Sequence, residues 1–323
     1  MEFFNSALGQ NITFLHPAYF IIGGFIGIPN IKYYYVFLFF MYVVSVLGNT
    51  AVITVIILDY NLRSPKYVAV FNLAFADLTA LIPKVLDTFL FDNRYIVYEA
   101  CLSYMFFVLV FGSVQSWTLV IMAYDRFIAI CFPLRYHSIV TKPAIATMLL
   151  FVWVVLLSII SCMVGLLDRL SFCGSLVIQS FYCDHGPTFR LACNDTSLNK
   201  IMIYVALTII NCLPLILIVL TYICIARALS RIASQKERVK ALKTCTSHLI
   251  LVAIFFLPFL GTNIAAMTSS LHPNARIINS TLTHTIPAFV NPIIYSLKTE
   301  EVLDSFKKLC KNKRLGKITL KKR

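Results

Sequence analysis

Charged side chains are scarce in this sequence of 323 residues. Asp, Glu, Lys and Arg together make up 13% of it, whereas hydrophobic residues make up 59%. A soluble domain has about 25% charged and about 45–50% apolar residues. This shortage of charge excludes an ordinary water-soluble domain and indicates that a lipid bilayer surrounds most of the chain.

Acidic residues are the scarcer charge: 14 stand against 28 Lys and Arg, which gives a formal net charge of +14. The positions of the cations decide what this excess means. They cluster after the first, third, fifth and seventh apolar stretches, most densely from Lys298 onward. Because cytoplasmic connections are rich in Lys and Arg, we expect an extracellular N-terminus and a cytoplasmic C-terminus. The excess then attracts anionic membrane lipids, and nucleic acid is not an expected partner.

Other absences narrow the function. The first residues lack a basic leader and a continuous apolar core, so we expect no cleaved signal peptide. No internal repeat is detectable, which argues against the duplicated halves common in transporters. No nucleophile, base and metal ligands converge in the pattern, so we expect neither an enzyme nor a cofactor or metal site.

Seven apolar stretches are each long enough for a membrane-spanning helix, which needs about 20 residues. They are 33–58, 68–91, 99–131, 145–167, 199–226, 240–264 and 277–297. The sequence therefore predicts an all-α membrane protein, with an extracellular tail over 1–32, a seven-helix bundle over 33–298 and a cytoplasmic segment over 299–323. In that last segment Val302, Phe306 and Leu309 fall on one helical face, which predicts a short amphipathic helix in the interface plane. Cys310 at its end is either a palmitoylation site or an idle thiol.

Four cysteines lie on the predicted outer side: Cys101, Cys173, Cys183 and Cys193. Four cysteines in an oxidising compartment allow three pairings, and spacing alone does not choose among them. Asn11 begins an Asn-Ile-Thr glycosylation signal in the predicted outer tail.

Polar residues inside the apolar stretches are functional candidates, because burying a charge in lipid costs about 2.5–3.5 kcal/mol. Asp77 lies near the middle of the second stretch, and Asn49, Gln115 and Asn291 are its candidate partners. The alternative is a packing hydrogen bond with no switching role.

Asp125 and Arg126 lie at the inner end of the third stretch. The pair resembles a lock that neutralises the arginine in one state and releases it in another, although a snorkelling anchor would also explain it. Pro292, followed by Tyr295 one turn later, interrupts the seventh stretch and kinks it, as Pro214 and Pro258 do in the fifth and sixth.

These positions together resemble the rhodopsin-like family of G-protein-coupled receptors. The matching signatures are Gly48-Asn49, the NLAFAD run at 72–77, Asp125-Arg126, Trp153, Pro214, Tyr222 and the NPIIY run at 291–295.

Within that family the chain is most similar to the odorant receptors. The hallmarks are MAYDRFIAIC at 122–131, PLRY at 133–136, KALKTCTSHL at 240–249 and PIIYSLK at 292–298. The stretches YCDH at 182–185 and LACND at 191–195 are similar to a fish-type branch that favours small, water-soluble odorants. The resemblance also implies the disulfide pairs Cys101–Cys183 and Cys173–Cys193.

The resemblance implies an odorant in an outer pocket and a stimulatory, olfactory-type G protein on the inside that raises cAMP. It also implies a place in the plasma membrane, in the cilia of olfactory sensory neurons. The pocket residues expected on this basis are Leu109, Gly112, Ser113, His185, Ala206, Phe256, Phe259, Asn263 and His284. Those expected to serve activation and coupling are Asn49, Asp77, Asp125, Arg126, Tyr222, Asn291, Pro292 and Tyr295.

Three departures from the family pattern bear on mechanism. Lys66 replaces a usual methionine, and FFLP at 255–258 replaces the usual Phe-Tyr-Gly, so a hydroxyl that helps to move helix 6 is missing. Gln115 stands where an acid is common, which argues against a sodium site beside Asp77.

Several rival functions remain to be weighed. A retinal-binding light sensor needs a lysine inside helix 7, and none precedes Lys298. An amine receptor needs an acid in the outer half of helix 3, near Val108, where the resemblance supports none. A rhodopsin-like receptor for a non-olfactory ligand and a channel or transporter stay as alternatives.

Overall fold

The computed structural model describes residues 16–25, 27–78, 93–232, 234–267, 272–298 and 302–308, apart from the side chains of 61, 240, 262–267, 273 and 296–298. Seven long helices follow one another through these ranges: α1 Lys32–Leu58, α2 Pro65–Leu78, α3 Tyr98–Cys131, α4 Lys142–Asp168, α5 Ser197–Ser230, α6 Gln235–Met267 and α7 Pro273–Lys298. Short helical turns occupy Tyr60–Leu62, Pro133–Arg135, Tyr136–Ile139 and His185–Phe189, and residues 302–308 are also helical.

Five of these helices (α1, α3, α4, α5 and α6) are long and apolar enough over their described residues to cross a membrane. The predicted outer half of α2 falls within 79–92, outside the described part of the chain. Helix α7 has sufficient length, but it carries a row of buried polar side chains that includes Ser280, Thr285 and Asn291. Their burial shows that the polar face of α7 points into the bundle, so low hydropathy does not exclude a membrane position.

Helix α3 is the centre of the bundle. It packs against α2, α4, α5 and α6, while α1 packs against α2 and α7. Large apolar side chains on the outer faces of α1, α4 and α5, such as Phe40, Phe151 and Ile216, are exposed. An exterior of this kind is stable against hydrocarbon rather than water.

Helix α5 contains a π-helical segment, Thr208–Cys212, directly before Pro214. Proline has no backbone N–H to donate, so carbonyls in the preceding turn lose their usual partner. Helix α3 replaces those bonds, since the Ser116 hydroxyl donates to the Ile210 carbonyl (3.0 Å) and the Trp117 indole donates to the Ile209 carbonyl (3.2 Å). The bulge thus fixes α5 against α3.

The sequence predicted no strand, but the structure has a three-stranded sheet at the end of the bundle that is predicted to face outward. Strand β1, Tyr19–Ile22, lies between β2, Tyr95–Val97, which is antiparallel to it, and β3, Val177–Ile178, which is parallel. Aromatic and β-branched residues favour strands, and Phe20 is fully buried against Phe172. Residues Tyr19–Ile22 of the predicted tail therefore form part of this sheet.

Candidate functional site

A cavity of about 340 Å³ lies at the outer end of the bundle, under the loop between α4 and α5. This volume is that of a small-molecule site. Most of the sequence-predicted pocket residues line it: Leu109, Gly112, Ser113, His185, Ala206, Phe259 and His284.

Two expected pocket residues need separate comment. Phe256 does not line the cavity: it is 2% exposed and packs in the main apolar core, whereas its neighbour Phe255 lines the cavity instead. Successive residues on a helix point about 100° apart, so a one-residue error in phase moves the side chain off the cavity. The side chain of Asn263 falls outside the described residues.

Sequence reasoning missed several lining residues. On α7, Ile277 and Ser280 precede His284 by seven and four residues, so they share its face and could have been found from it. No periodic signal could have found those contributed by the loop and the start of α7, which are Gln179, Ser180, Tyr182, Asp184, Arg190 and Arg276.

Two disulfides hold the loop over the cavity. The structure pairs Cys101 with Cys183 and Cys173 with Cys193, the two pairs that the resemblance implied. Next to Cys183, the Tyr182 hydroxyl lies 3.4 Å from Nε2 of His284, on α7. The loop is therefore anchored to α3 covalently and to α7 through a polar contact.

His185 lines the cavity, and its ring contains a buried polar atom without a partner. Its side chain is 7% exposed, stacks on Phe189, and its Nε2 has no hydrogen-bond partner in the part of the chain that the structure describes. Burial lowers the pKa of His185 to about 4, so the imidazole is neutral at pH 7. A buried polar atom without a partner costs about 1–3 kcal/mol.

Asp184 is the acid beside this histidine. Burial raises its pKa to about 6, an effect opposed by the backbone N–H of Gly186 and by the positive charge of Arg276. The carboxyl group therefore ionises close to neutrality.

The middle of the bundle contains a polar cluster around Asp77, which is 1% exposed. The amide of Gln115 on α3 donates to one carboxylate oxygen (2.9 Å), and the amide of Asn291 on α7 donates to the other (2.8 Å). Asn49 is not a partner of Asp77, because its amide donates to the Ala288 carbonyl of α7 (2.9 Å) and the Ser45 carbonyl of α1 (3.0 Å). Asp77 thus joins α2 to α3 and α7, while Asn49 joins α1 to α7.

A second polar network was missed from the sequence. The amide of Asn72 donates to the Thr118 hydroxyl (2.8 Å), and the Trp153 indole donates to the amide oxygen of Asn72 (3.0 Å). It ties α2, α3 and α4 together and explains why these residue types occupy apolar stretches.

At the inner end of α3, Asp125 holds the neighbouring arginine. A guanidinium nitrogen of Arg126 lies 3.7 Å from one carboxylate oxygen, and the Tyr136 hydroxyl donates to the other (2.8 Å). Asp125 is buried, whereas the Arg126 side chain is 26% exposed. Tyr136, from the turn after α3, therefore completes the predicted pair.

Tyr222 on α5 is bound to His248 on α6. Nε2 of His248 lies 3.1 Å from the Leu119 carbonyl of α3, and its Nδ1 lies 2.8 Å from the Tyr222 hydroxyl. A carbonyl only accepts, so Nε2 carries the proton and Nδ1 accepts from the Tyr222 hydroxyl. This His248 tether, defined as the two hydrogen bonds of its ring, holds α6 against α3 and α5 near Arg126.

Helix α7 closes the same region. The Tyr295 hydroxyl lies 3.8 Å from the sulfur of Met122 on α3. Pro292 approaches Gly48 so closely that a Cβ on the glycine would lie 2.9 Å from the proline ring, so this crossing of α1 and α7 requires glycine.

Three mammalian relatives and one family model resemble this chain over most of its length. The olfactory receptor family model matches residues 38–313. Olfactory receptor 1 of Rattus norvegicus is 34% identical over 284 residues, covering 87% of this chain and 90% of the relative. Human olfactory receptor 52B2 is 35% identical over 300 residues, covering 90% and 92%. Mouse olfactory receptor 7A40 is 36% identical over 280 residues, covering 85% and 89%.

Among solved structures, the crystal structure of squid rhodopsin superposes with a TM-score of 0.72 at 18% identity, covering 92% of this chain and 91% of the rhodopsin chain. This likeness confirms the predicted rhodopsin-like helical fold. Because the three relatives are mammalian, placement in a fish-type branch stays a prediction. With the family model spanning most of the chain and the relatives aligned over nearly their whole length, this multi-pass membrane protein belongs to the olfactory receptor family.

Proposed function

We propose that this chain binds a small, water-soluble odorant in its outer cavity and, in response, activates a stimulatory, olfactory-type G protein that raises cAMP. The proposal is carried by one observation: the same bundle contains a covered outer cavity and, at its inner end, Arg126 paired with Asp125. Helices α3, α6 and α7 connect the two.

The cavity suits a ligand with one polar end. Leu109, Ala206, Phe255 and Phe259 form apolar walls, while the unsatisfied Nε2 of His185 offers a hydrogen bond at the lid. A neutral imidazole can donate or accept, depending on its tautomer. The fixed position of this polar atom would orient the ligand, and the apolar walls would supply most of the affinity.

Helix α6 links the cavity to the inner side. Phe255 and Phe259 contact the ligand space, and about two turns inward His248 tethers the same helix to α3 and α5. A ligand that fits the cavity better when α6 has moved outward shifts the population toward that state. Release of the His248 tether would free Tyr222 and Arg126 to receive a segment of the G protein.

The inner rim supports docking of that partner. Arg227, Arg231, Lys236 and Lys243 are exposed at the adjacent ends of α5 and α6, and a cationic rim accelerates the approach of an acidic partner surface. With this cationic rim facing the G protein, the N-terminus lies outside the plasma membrane and the C-terminus lies in the cytoplasm. We propose olfactory cilia as the site of action.

The test is a cAMP screen of polar small molecules in cells that express the chain. We expect at least one compound to raise cAMP in a concentration-dependent way without any membrane current. A current that tracks the ligand in the absence of cAMP would instead favour a channel and contradict the proposal. Surface labelling of the N-terminus in intact cells checks the orientation independently.

A further inference from the structure

Residues 16–25 of the predicted tail cross the end of the bundle where the outer cavity lies, from α3 and α4 to α1. At one end the His16 ring stacks on Tyr98, the first residue of α3, and its Nε2 lies 2.7 Å from the backbone carbonyl of the last residue of α4. At the other end Phe25 packs edge-on against Tyr34 of α1. Strand β1 lies between these contacts. We refer to residues 16–25 as the N-terminal strap.

The strap is bonded to the part of the α4–α5 loop that lines the outer cavity. Three of its amides donate to backbone carbonyls of the loop: Ile21 to Leu176 (2.9 Å), Gly23 to Ile178 (2.9 Å) and Gly24 to Ser180 (3.0 Å). Ser180 and its neighbour Gln179 line the cavity, whereas none of the strap's residues, all of which the structure describes, does so. The ladder of hydrogen bonds therefore ends at the wall of the cavity.

Burial of Phe20 fixes the strap in place. Its side chain is 0% exposed and packs against Phe172 and Tyr98, with ring centroids 5.3 and 5.8 Å away. The same apolar cluster contains both cysteines of the Cys101–Cys183 bridge. Because strands this short are not stable alone, the burial of this ring supplies much of the stability of β1. Its neighbour Tyr19 is 39% exposed and offers a matched control.

The two disulfides do not attach this part of the loop to the helices. Cys101–Cys183 ties the loop to α3, whereas Cys173–Cys193 joins the loop to itself across 20 residues. Residues 174–182 therefore depend on non-covalent contacts. A guanidinium nitrogen of Arg276 on α7 lies 3.5 Å from the Gln179 carbonyl, a long distance for a hydrogen bond, whereas the three bonds from the strap have ordinary lengths.

From these contacts we propose that the N-terminal strap holds the loop residues Gln179 and Ser180 over the outer cavity and thereby controls both access to the cavity and the affinity for its ligand. Phe20 is the positioning residue. When the strap detaches, residues 174–182 move away and the cavity opens. Since the complete cavity exists only while the strap is in place, the apparent dissociation constant rises as that fraction falls. The affinity part rests on the proposed odorant function, whereas access to the cavity does not.

Access is tested by thiol labelling inside the cavity, in full-length receptor in nanodiscs. Ser280 is buried and lines the cavity, so Ser280→Cys supplies the thiol. A small hydrophilic methanethiosulfonate labels it, and mass spectrometry of its peptide gives the rate. In this parent, Phe20→Ala should raise the rate about tenfold, because the lost burial frees the strap, and Tyr19→Ala should leave it unchanged. Equal rates in Phe20→Ala and the parent, or an equal rise in Tyr19→Ala, would overturn the proposal.

A cross-link tests the opposite direction and does not depend on the folding of Phe20→Ala. Tyr19 and Val97 are partners in β1 and β2, and both are exposed. The Tyr98 amide donates to the Ala18 carbonyl, so the adjacent pair is not hydrogen-bonded. Cα atoms in such a pair lie about 4.5 Å apart, within the range of about 4.4–6.8 Å for a disulfide.

The oxidised pair Tyr19→Cys and Val97→Cys pins the strap to the segment that leads into α3. It should slow labelling below the parent's rate and return Phe20→Ala toward that rate, whereas either single cysteine variant should do neither. Labelling of the parent that the cross-link does not slow would overturn the proposal. A rise in Phe20→Ala that the cross-link does not reverse would place the defect elsewhere and also contradict it.

Affinity is measured separately, by cAMP dose–response curves at equal surface expression. Phe20→Ala should lower the potency of an odorant without lowering its maximal response, and Tyr19→Ala should match wild type. Faster labelling in Phe20→Ala together with unchanged potency would refute control of affinity. A wild-type receptor that responds to no compound would instead count against the proposed function, and the labelling rates would still decide whether the strap closes the cavity.

Discussion

Substitution of His248 tests the resting state directly. His248→Leu removes both bonds of the His248 tether, to Tyr222 on α5 and to Leu119 on α3. A buried neutral hydrogen bond contributes about 1 kcal/mol, so the resting state loses about 2 kcal/mol relative to one in which α6 has moved. That loss shifts the equilibrium about 30-fold, since 1.4 kcal/mol is a factor of ten.

The expected result is a rise in ligand-free activity. If about 1% of the wild-type receptor is active without ligand, which lies within the usual range for a minor state, about a quarter of His248→Leu will be active. The assay is cAMP in unstimulated cells, normalised to surface receptor. Tyr222→Phe removes one of the two bonds and should give a smaller rise, while His137→Leu, on the exposed turn after α3, is the control. Basal cAMP equal to wild type at equal surface expression would refute the tether.

Three further predictions concern the outer cavity. His185→Phe leaves no atom for the ligand's polar group, so ligand potency should fall about tenfold in a cAMP dose–response curve, with basal activity unchanged; equal potency would remove His185 from the site. Phe255→Ala should change the order of potencies across a panel of ligands, because Phe255 lines the cavity. Phe256→Ala should instead cost about 3–5 kcal/mol of stability and lower surface expression. The reverse result would contradict the rotation of α6 that points Phe255 at the cavity. Finally, the pKa of Asp184 is raised from 3.8 to about 6, so the loop packed over the cavity favours the protonated acid. The stability that this adds to the packed loop is complete below about pH 4 and is lost as pH rises through 6. Ligand potency should therefore decline between pH 5 and pH 7 in wild type but not in Asp184→Asn, which a pH series of dose–response curves measures.

The helices and the polar residues inside them could be predicted from sequence because lipid imposes strong constraints. A spanning segment must be long and apolar, and a buried polar group must find a partner. Asp77 stands out for this reason, and two of its three candidate partners, Gln115 and Asn291, bond to it.

Features that depend on how helices face one another could not be predicted in the same way. Asn49 bonds to the backbone of α7 rather than to Asp77 because α1 lies beside α7. Phe255 lines the cavity in place of Phe256 because periodicity does not fix the rotation of α6 about its own axis. Strand β1 was missed because a strand of four residues depends on partners distant in sequence.

If ligand binding is to drive activation of the G protein, the outer cavity and Arg126 must both change in the same two-state conformational equilibrium. The most direct measurement is nucleotide exchange on a stimulatory G protein by purified receptor, wild type and Arg126→Ala, with ligand binding measured on the same samples. We predict that both proteins bind the odorant with similar affinity and that only the wild type accelerates exchange. Exchange driven equally well by Arg126→Ala, or odorant binding by the wild type without any exchange, would contradict this coupling.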